Sequence, residues 1–265
     1  ARGIQHITQI GTGNYNEKTA KLYTDLAVIT ADQRIGEDAA AFFRNLSLSN
    51  LHGEYHDLWV APANFKQSIL DYADQEIRKA QEGKDARIMV KCNSFTDKEL
   101  IEKFVDASRA GVKIKLVIRG ICCITPQIPG MTDNIQIVSI VGRFLEHSRI
   151  YAFGTGEDTR VFIASGDMMT RNTERRVEVA CPIYDRGIRQ RLLDMMDILL
   201  RDNVKAREQF SDGRYILRTP LNSPPLCAQE YFMKEALQPP AAPPAPKAPE
   251  KDPVHKLLGF FRRRF

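Results

Sequence analysis

The chain has 265 residues, of which 43% are hydrophobic and 27% charged, and its formal net charge is +5. This composition is ordinary for a soluble globular protein of one or two domains with a sizeable core. No apolar run approaches the ~18 residues that a membrane-spanning helix needs, so no such helix is predicted. The slight excess of base fits a polyanionic partner and an unremarkable surface alike, and both interpretations stay open.

The cysteines predict free, buried thiols in a reducing, cytoplasmic setting. Their number is odd, their spacing does not suit a metal, and adjacent Cys122 and Cys123 have a poor geometry for a disulfide. The full set is Cys92, Cys122, Cys123, Cys181 and Cys227. The chain opens with Ala-Arg-Gly instead of Met, so we expect it to be a piece of a longer protein.

The first 57 residues are predicted to hold two strands and a helix. Residues 4–10 alternate as a strand does, and residues 26–30 form a second strand candidate. Between them, the Gly11-Thr-Gly13 turn resembles a phosphate-binding turn but lacks the Gly-Lys-Ser/Thr of a P-loop. Residues 35–46 are predicted to be helical, and the polar residues 48–57 mark a domain boundary.

A strand–helix–strand–helix–strand unit follows the boundary. Asn64, with Gln67 three residues later, is an N-cap signal for a helix that runs to about Gln81. Thr96-x-x-Glu99 is a capping box for a helix that ends before Gly111. The strands are predicted at residues 58–60, 87–90 and 112–118, and the order implies a parallel pair with a crossover helix.

The rest of the second domain is predicted to be rich in strands, and we place its end at residue 237. Pro126, Pro129 and Gly130 interrupt the chain before four strand candidates and one amphipathic helix, at residues 135–141, 149–153, 161–164, 177–181 and 188–200. Residues 238–265 are a Pro/Ala-rich linker and a short basic, apolar tail. This tail fits peripheral contact with anionic lipid, contact with a partner protein, or no role at all.

The pattern with the clearest chemistry surrounds His147. It precedes a strand, Arg149 lies two residues later, and a second strand ends at Ser165-Gly166-Asp167. Imidazole can attack phosphorus or shuttle a proton, while arginines hold the phosphate oxygens. In isolation, a histidine beside a strand is more often structural.

Together with the segment Gly11-Thr-Gly-Asn-Tyr-Asn-Glu-Lys-Thr19, this pattern resembles bacterial polyphosphate kinases over residues 4–235. The C-terminal half of those enzymes has two domains of the phospholipase D type. The resemblance implies an α/β fold with a phospholipase D-like mixed sheet flanked by helices. Residues 1–57 would end a first, partial domain, and residues 58–237 would form a complete second one.

The resemblance also implies roles for individual residues. His147 would act as a general acid/base or phosphate ligand, and Tyr23, Arg119 and Arg176 would hold ATP and polyphosphate. The weaker phosphate-binding candidates are Arg149 and Arg171. From the residues alone, Arg119 is predicted to be a surface arginine and Tyr23 a core or rim aromatic. The Arg171–Arg176 run is predicted to be a solvated face.

The family's phosphoacceptor histidine lies in a Lys-Thr-His-x-Lys motif that this sequence lacks. We therefore expect the phosphoacceptor and the Mg²⁺ ligands upstream of Ala1, and no metal site in this chain. The implied reaction is reversible transfer of the ATP γ-phosphate to inorganic polyphosphate, with ADP as the other product. A homo-oligomer is expected for the full-length form, and no nucleic-acid partner.

Two other functions stay open. One is a phospholipase D-type phosphodiesterase or phosphatidyltransferase, whose His-x-Lys phrase contrasts with His147-x-Arg149 here. Arginine binds two phosphate oxygens but cannot take over a proton role specific to lysine. The other is a non-catalytic module that binds polyanions.

Overall fold

A small antiparallel hairpin and a helix form the start of the computed structural model, which describes residues 4–221 and 223–238. Strand β1 (Thr8–Gly11) pairs with β3 (Ala27–Thr30), and helix α1 (Gln33–Ser47) follows. Between the hairpin strands lies β2 (Tyr23–Thr24). It pairs in parallel with β8 (Leu145–Glu146), which is more than 120 residues away in sequence.

A nine-stranded mixed sheet forms the body of the molecule, in the order β13-β12-β7-β6-β5-β9-β10-β11-β4. Its strands are β4 (Trp59–Ala61), β5 (Arg87–Cys92), β6 (Lys113–Ile118), β7 (Ile135–Ile140), β9 (Arg149–Phe153), β10 (Arg160–Ala164), β11 (Glu178–Pro182), β12 (Ala206–Gln209) and β13 (Tyr215–Leu217). The helices are α2 (Phe65–Gln81), α3 (Lys98–Arg109), α4 (Thr170–Glu174), α5 (Arg186–Arg201) and α6 (Ala228–Ala236). Strands β5, β6 and β7 are parallel neighbours, and the remaining pairs of this sheet are antiparallel.

The core lies between the central strands and helices α2 and α3. Phe65 and Ile69 of α2 and Phe104 of α3 are fully buried beside Ile88 and Ile114 of the sheet. The buried apolar run Leu116-Val-Ile118 at the end of β6 is typical of parallel strands that are covered on both faces. The predicted mixed α/β sheet flanked by helices is confirmed.

Two of the predicted helix caps differ in the structure. Asp97, not Thr96, caps α3, because its carboxylate accepts from the Leu100 N–H at 3.2 Å. Asn64 does occupy the N-cap position of α2, but its side chain makes no cap hydrogen bond. Its Oδ1 instead accepts from the N–H of Val60 at 2.6 Å and closes the turn after β4.

Several elements are shorter than predicted or were not predicted. The strand predicted over residues 4–10 covers only Thr8–Gly11, and β2, β8, β12, β13 and α6 gave no clear periodic signal. The five cysteines are free, as predicted, but only Cys92 and Cys181 are buried; Cys122 and Cys227 are half-buried and Cys123 is exposed. The described residues up to Tyr231 form one compact unit, and those from Phe232 belong to a second. The boundary at residue 57 stays a prediction, and the linker and tail from residue 239 onward lie outside the described residues.

Candidate functional site

His147 lies in the two-residue connection between β8 and β9, with 14% of its side chain exposed. Its Nδ1 is 2.9 Å from Oδ1 and 3.1 Å from Oδ2 of Asp25. Asp25 directly follows β2, so the parallel pairing of β2 with β8 brings the two side chains together. An ionised carboxylate only accepts hydrogen bonds, so this contact places the ring proton of His147 on Nδ1.

The Gly11-Thr-Gly13 turn holds Asp25 in place. The Thr12 hydroxyl donates to Asp25 Oδ1 at 2.7 Å and accepts from the N–H of Leu26 at 3.0 Å. A β-carbon on Gly13 would lie only 2.0 Å from Asp25 Oδ2, so the carboxylate occupies the space that any larger residue would need. The turn that resembles a phosphate-binding loop therefore supports a carboxylate in this structure.

The environment of Asp25 favours its ionised form. Partial burial raises the pKa of this carboxyl group, but hydrogen bonds from His147 and Thr12 and the charge of Arg149 lower it. The balance leaves the pKa of Asp25 below the ordinary value of 3.8. Asp25 is consequently an anion near neutral pH and stabilises a positive charge on the imidazole.

Arg149, predicted as a phosphate-binding candidate, is buried in an ion pair with Asp167. Its Nε and NH2 groups donate to the two oxygens of Asp167 at 3.0 and 3.3 Å. Its NH1 donates to the Thr12 carbonyl at 3.0 Å and lies 3.2 and 3.1 Å from Nδ1 and Nε2 of His147. Since Nδ1 carries the proton that Asp25 accepts, Nε2 is the ring nitrogen that can accept a hydrogen bond from NH1. Arg149 thus places a fixed positive charge beside the histidine.

Asn93 and Arg119 extend this network. The backbone N–H and the side-chain amide of Asn93 both donate to Asp167 Oδ1, at 2.8 and 3.0 Å. Arg119 Nε donates to Asn93 Oδ1 at 2.6 Å and to the Glu146 carbonyl at 3.1 Å. Burial lowers the pKa of Arg119 and the charge of Asp167 opposes this, but a guanidinium stays protonated.

The aromatic ring of Tyr23 lies against the imidazole of His147, with ring centroids 4.9 Å apart and planes tilted by 45°. Tyr23 is half-buried, as is Arg119. Four of the six predicted site residues therefore come together around Asp25 and Asp167. They are Tyr23, Arg119, His147 and Arg149, and together with Asp25 and Asp167 they are called the His147 group below.

Arg171 and Arg176 lie on the surface, in and just after α4. Both are exposed, and within residues 4–221 and 223–238 neither forms an ion pair or a contact with the His147 group. Helix α4 itself is anchored by Asp97, which accepts from the hydroxyls of Thr170 and Thr173. Arg171 is thus held on an anchored helix and Arg176 follows it, and both side chains are exposed to solvent.

The described part of the chain offers no metal site. No three His, Cys, Asp or Glu side chains cluster as a metal ion would require. Mg²⁺ takes its oxygen ligands from carboxylates, water and substrate phosphates, but the carboxylates of Asp25 and Asp167 are engaged by His147, Arg149 and Asn93. These residues do not fit a magnesium site of their own.

Sequence reasoning missed the role of Asp25 as the partner of His147 and that of Asn93 as the link between Asp167 and Arg119. One signal was present for Asp25. Tyr23 and Asp25 are two residues apart, so in an extended segment their side chains point to the same side. No such local pattern marks Asn93, because its hydrogen-bond partners come from three other segments of the chain, around Arg119, His147 and Asp167.

Two family models cover most of the chain. The model described as polyphosphate kinase C-terminal domain 2 matches residues 58–229, and that of C-terminal domain 1 matches residues 1–52. The chain belongs to the polyphosphate kinase family.

Individual polyphosphate kinases agree with this assignment. The chain is 50% identical to a polyphosphate kinase from Staphylococcus haemolyticus over 235 residues, which are 89% of this chain and 32% of that protein. Identity to the enzyme from Halalkalibacterium halodurans is 47% over 231 residues, 86% of this chain and 33% of that protein. The chain therefore spans about a third of the length of these polyphosphate kinases.

A solved polyphosphate kinase has the same fold. The crystal structure of the enzyme from Porphyromonas gingivalis superposes with a TM-score of 0.83 at 36% identity, covering 88% of this chain and 36% of that one. A weaker likeness, with a TM-score of 0.42 at 15% identity, relates 58% of this chain to Nuc, a phospholipase D family member from Salmonella typhimurium. No helix in the described residues has the length and apolar character to cross a membrane.

Proposed function

We propose that this chain is the C-terminal part of a polyphosphate kinase that reversibly transfers the γ-phosphate of ATP to inorganic polyphosphate, by way of a phosphohistidine. The observation that carries the proposal is the His147 group. One imidazole is fixed by Asp25 on one side and faces a buried arginine on the other. Family membership supports the same reaction.

His147 serves as the general acid/base of this reaction or as a phosphate ligand. With the ring proton on Nδ1 against Asp25, Nε2 keeps its lone pair and can accept and return a proton. The anionic Asp25 stabilises the imidazolium that forms when Nε2 takes up a proton, and it holds the ring in one orientation. The phosphoacceptor itself is a second histidine, expected upstream of this chain.

The arginines offset the negative charge of the transferring group. In phosphoryl transfer, positioned cations supply much of the transition-state stabilisation, because charge spreads over the phosphoryl oxygens. Arg149 and Arg119 act inside the network, while Arg171 of α4 and Arg176, just after α4, bind the nucleotide or the polyphosphate. Tyr23 packs beside His147 and forms part of the nucleotide-binding surface.

The wider setting of the enzyme belongs to the same proposal. Mg²⁺, bound through residues upstream, would neutralise charge on the phosphates. The full-length protein would be a cytoplasmic homo-oligomer with ATP, ADP and polyphosphate as its ligands. Contact of its C-terminal tail with a membrane surface is a further part of this proposal.

The experiment measures transfer of labelled γ-phosphate from ATP with magnesium, to the protein and to polyphosphate. It compares this chain with one that extends upstream to the length of its relatives, each with His147→Ala and with His52→Ala as a matched control. His52 is exposed and distant in sequence from the His147 group. We expect labelling and polyphosphate only from the extended chain, and loss of polyphosphate synthesis only with His147→Ala.

Other outcomes would contradict the proposal. Activity of the short chain that His147→Ala abolishes would mean that two copies of His147 meet across a dimer. Phosphodiesterase activity in an extended chain that makes no polyphosphate would favour a phospholipase D-type enzyme. Polyphosphate binding without turnover by either chain would favour the non-catalytic module.

A further inference from the structure

Gln229, at the start of α6, reaches into the loop that precedes His147. Its side chain is 94% buried, since the residue is only 6% exposed. Its Nε2 donates to the Phe144 carbonyl at 2.8 Å and to Glu146 Oε1 at 2.7 Å, and its Oε1 accepts from the Phe144 N–H at 3.1 Å. The amide thus pairs with both backbone groups of Phe144, as a neighbouring strand would.

Glu146 transmits this contact to the site. It is 4% exposed, and its second oxygen, Oε2, accepts from the Thr24 hydroxyl at 3.1 Å and lies 3.3 Å from Lys91 Nζ. Thr24 lies between Tyr23 and Asp25, and Glu146 directly precedes His147. One buried carboxylate therefore joins the two chain segments that provide the tyrosine, the aspartate and the histidine of the site.

Lys91 supports the other side of His147. It is 1% exposed, and it donates to the Ser148 hydroxyl at 2.8 Å and to the Ser148 carbonyl at 3.0 Å. Burial lowers the pKa of Lys91, and the charge of Glu146 opposes this effect. The residues before and after His147 are thus fixed by one buried ion pair, and Gln229 donates to Oε1 of Glu146, the oxygen opposite the one that Thr24 binds.

We infer that Gln229 is a positioning residue for phosphoryl transfer at His147, acting through Glu146. This inference rests on the proposed function. Without the amide, the buried Glu146 Oε1 would lose the hydrogen bond from Gln229. Rotation of the carboxylate to restore a hydrogen bond would break its contact with the Thr24 hydroxyl. A displacement of about 1 Å at a catalytic group can cost roughly 10²-fold in rate while substrate binding is kept.

The test uses the full-length polyphosphate-synthesising protein with Gln229→Met, whose side chain has a similar length but no amide. The matched control is Gln209→Met, because Gln209 is also 6% exposed and its Oε1 accepts from the Tyr215 hydroxyl, on strands away from His147. We expect kcat to fall about 10- to 100-fold with Gln229→Met, with KM for ATP within about twofold of wild type. Gln209→Met should leave both constants near wild type.

A second variant displaces the Gln229 amide without removing it. A β-carbon at Gly142, an exposed position, would lie 2.5 Å from Gln229 Oε1. Gly142→Ala should therefore lower kcat in the same direction while the protein stays folded. A third readout is the imidazole NMR signal of His147, whose Nδ1 proton should lose its Asp25 hydrogen-bond signature in both variants.

The outcomes separate the two claims. If wild type makes no polyphosphate, the proposed function fails, and the NMR signal still decides whether Gln229 positions His147. If wild type is active but Gln229→Met and Gly142→Ala match Gln209→Met in kcat and leave the His147 signal unchanged, the inference is overturned. A rise in KM with unchanged kcat would overturn it too, since a positioning role requires a loss in kcat.

Discussion

The carboxylate of Asp25 lies directly against the α-carbon of Gly13, so closely that a β-carbon there would be 2.0 Å from Oδ2. The glycine is required by a close approach and not by an unusual backbone conformation. Since Asp25 in turn binds Nδ1 of His147, the size of the residue at position 13 controls the geometry of the histidine.

In the extended chain of the proposed function, Gly13→Ala should displace Asp25 and reduce the rate of polyphosphate synthesis by about 10² without unfolding the protein. Steady-state kinetics and circular dichroism would measure the two effects. Gly187→Ala is the control, because it adds a methyl group in the first turn of helix α5, beside Asp185 and not beside any residue of the site. Equal kinetics for the two variants would contradict the role given to Gly13.

Asp25→Asn preserves the size of the side chain but removes its charge. An amide can donate to Nδ1 and so favour the wrong tautomer of His147, and it no longer stabilises the imidazolium. We expect kcat to fall by about 10²- to 10⁴-fold. Asp212→Asn, at an exposed hairpin carboxylate paired with Arg214, should leave kcat unchanged.

Arg149 and Asp167 should be strongly coupled in stability. Their side chains are 8% and 7% exposed, so Arg149→Met leaves a buried carboxylate without its partner and should cost about 3–5 kcal/mol in the free energy of unfolding. The double change Arg149→Met/Asp167→Asn removes that stranded charge and should recover part of the loss. Urea unfolding of the two single variants and of the double variant measures these losses. If the loss of unfolding free energy in the double variant equals the sum of the losses in Arg149→Met and Asp167→Asn, the two residues are not coupled.

Acid should weaken the anchor of helix α4. Burial raises the pKa of Asp97, but hydrogen bonds from the Leu100 N–H, Lys66 and Thr170 outweigh it, and the pKa lies below 3.8. A carboxyl group with a lowered folded-state pKa contributes its stability above pH ~3.8 and loses it as the pH falls through the folded-state value. Asp97→Asn should thus cost about 2 kcal/mol at pH 7, and the difference from wild type in urea unfolding should shrink towards pH 3.

Arg176→Ala should affect binding without affecting the fold. The side chain is exposed, so the free energy of unfolding should change by less than about 0.5 kcal/mol. Polyphosphate affinity should fall, and the loss should shrink as salt increases, because a charge contact is screened. Arg186→Ala, an exposed arginine at the start of α5, is the control. Equal polyphosphate affinity for wild type and the Arg119→Ala/Arg176→Ala double variant would contradict both assignments.

The elements that could be predicted from the sequence are those with a signal in neighbouring residues. Helices α1, α2, α3 and α5 and the strands of the parallel region follow hydrophobic periodicity, which is a property of a short window. The Asp97 cap was missed because Thr96, one residue earlier, satisfies the same capping pattern. The two-residue strands β2 and β8 are too short to have a period.

The same distinction applies to the site. His147 and Arg149 belong to one short sequence motif, and the family resemblance added Tyr23 and Arg119 to the predicted site. The Asp25 contact joins residues 122 positions apart, and the Gln229 contact with Glu146 joins residues 83 positions apart. Such partners are set by tertiary packing, and no window of a single sequence contains both members.

The shortness of the parallel pair β2–β8 determines which part of the site opens first when the protein is destabilised. His147 is attached to the nine-stranded sheet through β9, whereas Asp25 is held by two residues of strand pairing, by the Gly-Thr-Gly turn and by the hydrogen bond of Thr24 to Glu146. Segments with so few backbone hydrogen bonds open at a lower free energy than the core of a sheet. Mild heat or denaturant would therefore part Asp25 from His147 while the sheet remains intact, and inactivation would precede unfolding.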